Sequence, residues 1–383
     1  MKIDLYHNIR WSLYKASVFR ELHRIAVENG YCVRFTHVAD TSGQRKALSA
    51  VDLSWHDYPH EVLFEGVYEE VPKLKLYKAL FSRVLRSDAD LILVQGFDRP
   101  EHWLMLLAAV LSRKKASTFC DSTLNDRRQG HIKGALKRFF FSCCSGVFCY
   151  GERAREYLLH YGVPPHKIFQ RYQAAALPES YKMESIPCLR EQAAAENAGP
   201  MFLYVGRLAS EKGLQTLVLA FANAKHHLPG SRLIMVGGGS EENILKKLAA
   251  SLGLEKDVVF TGGLSQESLS RYYLSATCLV LPSRSEPWGL VVNEALHYGC
   301  PVVVSERCGC VPELVKEGVS GYSFPVDDVT VLSKRLIQAV TEFSDARTVA
   351  QRCLDVIGPY DPATAASQLL EGCCAMLDRS TRR

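Results

Sequence analysis

The chain has 383 residues, of which 47% are hydrophobic and 23% charged, an ordinary globular composition that excludes wholesale disorder. At roughly 100–200 residues per domain, it is long enough for two α/β domains. The longest strictly apolar run, Trp103–Leu111, is about half of what a membrane span needs, and the uncharged stretch Phe139–Gly151 is broken by Ser142, Ser145 and Gly146. Asp4 and Arg10 interrupt any apolar signal region, so no export is expected. The 13 cysteines form neither C-x-x-C nor a zinc-finger spacing; they read as reduced cytosolic thiols in apolar segments and imply no metal. The net charge of +5 is uneven: residues 1–176 carry 26 Lys and Arg against 18 Asp and Glu, and the remainder is acidic. That asymmetry is either a solvated surface or a face for an anionic partner.

In chain order, Lys2–Tyr6 reads as a strand, His7–Tyr14 as a polar loop and Lys15–Asn29 as an amphipathic helix stopped by Gly30. Tyr31–His37 is the next strand, Lys73–Arg86 a helix, Ala89–Val94 a strand, Trp103–Leu111 a helix and Ala116–Phe119 a strand. Residues 177–199, with Pro178, Pro187, Gly199 and an alanine run, read as a linker that could hold a short helix over Cys188–Glu196. The alternation then becomes cleaner. Strands are expected at Met201–Val205, Arg232–Val236, Val258–Thr261, Cys278–Leu281 and Pro301–Ser305. Helices are expected at Gly213–His226, Glu241–Leu252, Glu267–Ser275 and Leu290–Tyr298, with a last one over Asp361–Leu377. Apolar strands alternating with helices predict two parallel sheets covered on both faces. The expected division is 1–176, a linker at 177–199, and 200–358, with a C-terminal helix of about 359–383 returning to the first half. Two sheets joined this way suggest a hinged cleft.

Four segments of the second half fall at strand carboxyl ends, where open α/β sheets bind ligands. In Gly206-Arg207-Leu208-Ala209-Ser210-Glu211-Lys212-Gly213, Gly206 turns the chain off the strand, and Arg207 with Lys212 supplies the two charges that a diphosphate leaving group needs. Gly237-Gly238-Gly239 leads a strand into a helix whose first amides attract phosphate; as a dinucleotide fingerprint it is incomplete. Phe260-Thr261-Gly262-Gly263 offers backbone to a nucleobase edge. In Glu286-Pro287-Trp288-Gly289-Leu290 through Glu294, one carboxylate precedes a helix and the other lies in its first turns; it could accept two vicinal hydroxyls while the amides of Trp288, Gly289 and Leu290 face phosphate.

The Gly206…Lys212-Gly213 and Glu286-x7-Glu294 motifs, with Gly299–Val303, Val311–Val315 and Gly318–Pro325, resemble those of the retaining family 4 glycosyltransferases of GT-B fold. The resemblance is specific over about 198–330 and looser before it. It implies two Rossmann-like parallel-sheet domains facing across a cleft. It also implies that Arg207 and Lys212 neutralise the donor pyrophosphate, Glu294 holds the ribose and Glu286 contacts the transferred sugar. On the acceptor side it implies His7–Tyr14, containing Asn8 and Tyr14; Gly96–His102, containing Asp98 and His102; and Phe119–Asn125, containing Asp121. Relatives often carry a histidine where Cys120 stands here, which leaves open whether Cys120 itself, the adjacent Asp121 or His102 in the neighbouring loop stands at the reacting centre, Asp121 being otherwise a turn cap.

Asp88-Ala89-Asp90 matches a D-x-D metal signature but precedes its strand, at the wrong end of the sheet, and Asp327–Asp328 reads as a loop pair without partners. His131–Phe141 sets Lys133, Lys137 and Arg138 beside three phenylalanines, either a helix for an anionic lipid surface or an ordinary helix with one core face. The expected activity is transfer of a sugar from a nucleotide-diphosphate sugar, UDP before GDP, to a glycan or lipid-linked acceptor in cell-surface polysaccharide synthesis. It is expected without metal or cofactor, without nucleic acid, and in the cytoplasm or at the inner face of its membrane. The alternatives are a nucleotide-sugar epimerase on the same scaffold, which would need general acids and bases that the motifs lack, and a non-catalytic sugar-nucleotide-binding protein.

Overall fold

The structure, a computed structural model, describes residues 1–46, 51–125 and 130–378. The chain divides into two compact units, Met1–Ala176 together with the residues from Asp361 onward, and Leu177–Tyr360. The first holds β1 (Lys2–Ile9), β2 (Cys32–Thr41), β3 (His60–Val67), β4 (Leu91–Val94), β5 (Lys115–Cys120), β6 (Gly146–Cys149) and β7 (Ile168–Gln170). They form one parallel sheet in the order β3-β2-β1-β4-β5-β6-β7. The second unit holds β8 (Met201–Val205), β9 (Arg232–Val236), β10 (Val258–Gly262), β11 (Cys278–Leu281), β12 (Val302–Ser305) and β13 (Gly321–Phe324), all parallel in the order β10-β9-β8-β11-β12-β13. Both are doubly wound Rossmann-type sheets, as expected. Their order reverses between β1 and β4 and between β8 and β11, which fixes where a ligand crevice opens.

Buried runs such as Leu91–Val94 and Cys278–Leu281 stand between helices on both faces, so every residue of these strands is apolar. Strand β1 runs three residues beyond the Lys2–Tyr6 that the sequence predicts. The polar loop expected over 7–14 is shorter, because His7 and Ile9 stay in the ladder opposite His37 and Ala39. The polarity of His7 misleads: it is buried edge-on against Phe19 and His37. Strands β3, β6, β7 and β13 went unassigned, β3 because its mixed polarity suits an edge and the others because they are three or four residues long. The helices Gly151–His160, Val329–Glu342 and Ala346–Ile357 were also unassigned.

The stretch 177–199 is not bare connection. It contains the helix Ile186–Glu196, whose buried Arg190 donates to the carbonyls of Tyr273 (2.6 Å), Leu274 (3.1 Å) and Ala276 (2.8 Å). A fixed positive charge there caps the end of the helix Gln266–Ser275. The C-terminal helix Pro362–Asp378 packs on the first unit, where Lys115 Nζ donates to the Leu377 carbonyl at 3.0 Å and Gln368 accepts from the Tyr172 amide at 2.8 Å. Residues 379–383 of the expected helix lie outside the described residues.

Candidate functional site

In the second unit the loops leaving β8, β9 and β10 are joined backbone to backbone. The Gly206 amide donates to Val236 O at 3.0 Å, Leu208 to Gly238 O at 2.9 Å, Glu241 to Leu208 O at 2.9 Å and Gly237 to Gly262 O at 2.8 Å. A Cβ on Gly237 would stand 2.0 Å from Gly206 O, and one on Gly239 would stand 2.3 Å from Leu208 O. These two glycines thus serve close loop packing first, a requirement that the phosphate reading of the triple glycine did not include. Gly238, by contrast, would bring a Cβ only into ordinary contact with Glu242 Oε2, at 4.0 Å. Thr261 Oγ1 donates to the Gly262 carbonyl at 2.9 Å.

Across the switch point, Gly213 has φ +64, and a Cβ there would lie 2.3 Å from Pro282 O. The Arg284 amide donates to Glu211 O at 2.8 Å, and the Arg284 guanidinium donates to Ser210 O at 2.9 Å. The loops after β8 and β11 therefore form one rigid rim, on which the expected charges sit. Lys212 Nζ donates to Glu286 Oε2 at 2.5 Å, both side chains being mostly buried. Arg207 Nη2 donates to Glu211 Oε1 at 2.8 Å on the exposed side. The two cations expected to wait for a diphosphate are each held by a carboxylate. Glu211, four residues from Arg207, lay within the motif but was assigned no role.

Glu286 and Glu294 differ in setting. The Glu286 carbonyl accepts the Gly309 amide at 2.9 Å, and a Cβ on Gly309 would meet Pro287 O at 1.8 Å, so the β12 loop clamps the Glu286–Trp288 segment. Gly289, at φ +100, opens the helix Leu290–His297 with Leu281 packed against its α-carbon. Trp288 is 4% exposed, and its indole donates to Asn293 Oδ1 at 2.8 Å. Its ring is structural, so it could meet a ligand only through its backbone. Glu294 is the fifth residue of the helix, a turn deeper than a position at the helix start. Its carboxylate accepts the Tyr273 hydroxyl at 2.8 Å, and burial pushes its pKa up to about 7. Nothing in the sequence pointed to Tyr273, which reaches Glu294 from another helix.

In the first unit the structure joins three of the acceptor-side candidates. Asn8 Oδ1 lies 3.2 Å from His102 Nε2, and His102 Nδ1 lies 3.6 Å from Asp98 Oδ1. The neighbouring His102 imidazole holds Asp98 below the usual carboxylate range. His7, Asn8, Gln95 and Arg99 line a cavity of about 240 Å³ at the β1–β4 switch point. Asp121 is exposed; burial first, and then the Asp121 charge, raises the Tyr14 hydroxyl. Cys120, at the position of the missing histidine, is fully buried with its thiol pushed far up by burial, so it is no nucleophile. A larger cavity of about 1090 Å³ lies by Asp4, Arg34, Glu61 and Arg83, where Arg34 pairs with Asp4 at 2.5 Å and Arg83 with Glu61. It stands away from the strand carboxyl ends.

The D-x-D pair is structural. Asp88 binds Lys2 Nζ at 2.6 Å and Arg34 Nη1 at 2.7 Å, and Asp90 accepts the Lys2 amide at 2.8 Å. Asp327 and Asp328 do have partners, contrary to expectation. Asp327 takes Arg284 Nε at 2.9 Å and Thr216 Oγ1 at 3.0 Å, while Asp328 caps the helix Val329–Glu342 through the Val331 amide at 2.8 Å. No cluster of three or more His, Cys, Asp or Glu suited to a metal occurs among the described residues.

The family described as glycosyl transferases group 1 matches residues 156–352, half of the chain. The chain is 31% identical over 173 residues to the sulfoquinovosyl transferase SQD2 of Arabidopsis thaliana, covering 44% of this chain and 32% of that protein. It is 31% identical over 172 residues to the alpha-monoglucosyldiacylglycerol synthase of Streptococcus pneumoniae, covering 44% and 39%. These alignments span only about a third of the curated relatives' length. HepE of Anabaena, crystallised with UDP and glucose, superposes with a TM-score of 0.73 at 19% identity, covering 98% of this chain and 100% of that one. That likeness shows the fold, GT-B, as the sequence resemblance implied.

Proposed function

The chain belongs to the glycosyl transferases group 1, and on that premise we propose that it is a retaining hexosyltransferase using a nucleoside-diphosphate sugar, UDP in the first place. The acceptor is a glycan or a lipid-linked acceptor, in cell-surface polysaccharide synthesis in the cytoplasm or at the inner face of its membrane. The observation that carries this reading is the rim on which Lys212–Glu286 and Arg207–Glu211 stand together at the β8–β11 switch point. The UDP and glucose bound to HepE and the lipid product named for the pneumococcal synthase support the donor and acceptor classes.

As the bond from the anomeric carbon to the β-phosphate oxygen breaks, negative charge grows on the phosphate. Arg207 and Lys212 stabilise that charge most in the transition state, where it is largest. The acceptor hydroxyl oxygen bonds to the same face of the anomeric carbon and gives its proton to the departing phosphate, so no separate base is needed. Glu286 releases Lys212 to the phosphate and turns its charge toward the sugar as the ring becomes cationic. Glu294 receives the ribose hydroxyls, with Tyr273 keeping the carboxylate oriented. The two cations do the work that a metal does elsewhere, so turnover should survive excess EDTA; abolition by EDTA with rescue by Mn²⁺ or Mg²⁺ would contradict this.

Membrane attachment belongs to the same proposal. No described helix is long and apolar enough to cross a membrane. On the helix His131–Cys143, however, Ile132, Leu136 and Phe139 are 80%, 51% and 62% exposed along one face, flanked by exposed Lys133 and Arg138. Lys137 departs from the expected cationic face, for it turns inward to the Tyr157 hydroxyl, while Phe140 and Phe141 enter the core. Binding to anionic liposomes should fall on raising salt and in Lys133→Gln/Arg138→Gln. Unchanged binding would remove the membrane from the proposal. The function itself is tested by incubating the protein with UDP- and GDP-sugars and candidate acceptors. Acceptor-dependent release of free nucleoside diphosphate is expected. Interconversion of the sugar without release would favour an epimerase instead.

A further inference from the structure

Among the described residues, two cations lie buried in the first unit with no carboxylate among their hydrogen-bond partners. Lys15, near the start of the helix Leu13–Glu28, is 4% exposed, and Arg171, the residue after β7, is 1% exposed. Lys15 Nζ donates to the Tyr150 hydroxyl at 2.6 Å, and Arg171 Nη1 donates to the same oxygen at 2.9 Å. Both also lie against its ring, Lys15 at 4.7 Å and Arg171 at 5.3 Å from the centroid. A hydroxyl oxygen that accepts twice has used both lone pairs, so its own hydrogen is left for a third group.

Arg171 is the sharper case. Its Nε and Nη2 are buried and have no hydrogen-bond partner among the described residues. Those two atoms form the side-on fork of the guanidinium, the pair that grips a carboxylate or phosphate through two parallel bonds. A guanidinium does not escape burial by losing its proton, and the ring faces of Tyr150 and Phe119 offset only part of the cost. Burial and the neighbouring Arg171 hold Lys15 well below the usual lysine range. The pair is short of negative charge. Asp121, which is exposed, is the carboxylate whose field reaches Lys15.

The placement is that of a ligand site. Asp121 follows β5, Tyr150 follows β6 and Arg171 follows β7, so all three stand at strand carboxyl ends. We propose that Arg171, Lys15 and Tyr150 form a subsite for an oxyanion carried by the acceptor, a phosphoryl or carboxylate group that takes the Arg171 fork and the Tyr150 hydrogen. This rests on the glycosyltransferase reading and narrows its acceptor to an acidic one. The fork atoms are covered in the chain alone, so entry of the anion displaces a neighbouring side chain.

The test is calorimetric titration of inorganic phosphate and, separately, of glucuronate. It is made on the Arg207→Ala/Lys212→Ala chain, so that the cations of the second unit do not answer. Saturable binding is expected, weakened at least about tenfold by Arg171→Gln and by Lys15→Gln but retained by Lys15→Arg. Tighter phosphate assigns a phosphate-bearing acceptor, and tighter glucuronate an acidic sugar. If Arg171→Gln does not fold, the Lys15→Gln and Lys15→Arg pair decides alone. Binding of neither anion, or binding indifferent to these substitutions, overturns the subsite. UDP titrated into the Lys15→Gln chain keeps the two proposals apart: retained UDP binding leaves the donor reading standing whatever the anions do.

Discussion

In the second unit the loops at the strand ends touch backbone to backbone, with glycines at 206, 237 and 239 that leave no room for a Cβ. In the first unit the corresponding ends meet through side chains: Asn8 with His102, and Lys15 and Arg171 with Tyr150. The same strand order thus supports two ways of building a site. A diphosphate and a ribose require close main-chain approach and a few fixed charges, which confines the residue types and their spacing. An acceptor is met by side chains from distant segments, whose identity follows the molecule bound. On the proposed donor and acceptor roles, the contrast accounts for why one half carries legible motifs and the other does not.

The most forceful way to break the comparison is at Lys212. Lys212→Ala should lower kcat roughly 10²–10³-fold, the usual cost of losing one electrostatic contact to the developing charge. Glu286→Gln separates the roles. It removes the carboxylate that holds Lys212, so kcat should fall while affinity for the nucleoside diphosphate stays level or rises. Steady-state kinetics paired with product-inhibition constants check both; a Glu286→Gln enzyme of normal kcat sinks the assignment.

Acid should distinguish the units next. Burial, the largest cause in each case, lowers His7 to about 3, His37 to about 2 and His56 to about 4, and all three belong to the first unit. The unfolded chain binds protons at these positions below about pH 6.5 and the folded chain does not, so their stability contribution is whole above that pH and is lost on acidification. Glu294 has the opposite sign. Raised to about 7, it is more readily protonated folded than unfolded, and its burial costs stability as pH rises from about 4.5 to 7. Calorimetry at pH 5 and pH 8 should show acid loss in the histidine-bearing unit, and Glu294→Gln should raise Tm at pH 8 but not at pH 5. A Tm independent of pH below 6.5 would contradict the histidine account.

How far the sequence could be read follows from the same contrast. The strands β8, β9 and β11 were assigned with their observed limits, because buried parallel strands are short apolar runs between turn glycines. Arg207, Lys212, Glu286 and Glu294 stand out in the sequence because motif spacing carries them, and the structure sets them in the loops after β8 and β11 and the helix that follows. Tyr273 was not, since its bond to Glu294 joins two helices and leaves no local signal. Lys15 read as the first residue of an amphipathic helix, and only the fold brings Tyr150 and Arg171 to it. Strand β1 was cut short because a polar histidine in a ladder resembles the start of a loop.

Smaller effects sharpen the loop-packing argument. Gly239→Ala should destabilise the second unit by roughly 1–3 kcal/mol through overpacking against Leu208 O, whereas Gly263→Ala, with nothing within 4 Å of its Cβ position, should stay near neutral. Equal midpoints for the two variants in urea would contradict the zipped-loop description. The mildest prediction concerns the donor KM, which should fall as pH rises from 6 to 8 while Glu294 ionises to accept the ribose hydroxyls, and should lose that dependence in Glu294→Gln.

The central claim, that the donor is held by the carboxyl-end loops of the second unit, is tested most directly by amide hydrogen exchange with and without a saturating UDP-sugar. The account predicts new protection concentrated in residues 205–213, 236–241, 260–263 and 283–294. Protection confined to residues 1–176, with these four segments unchanged, would contradict it.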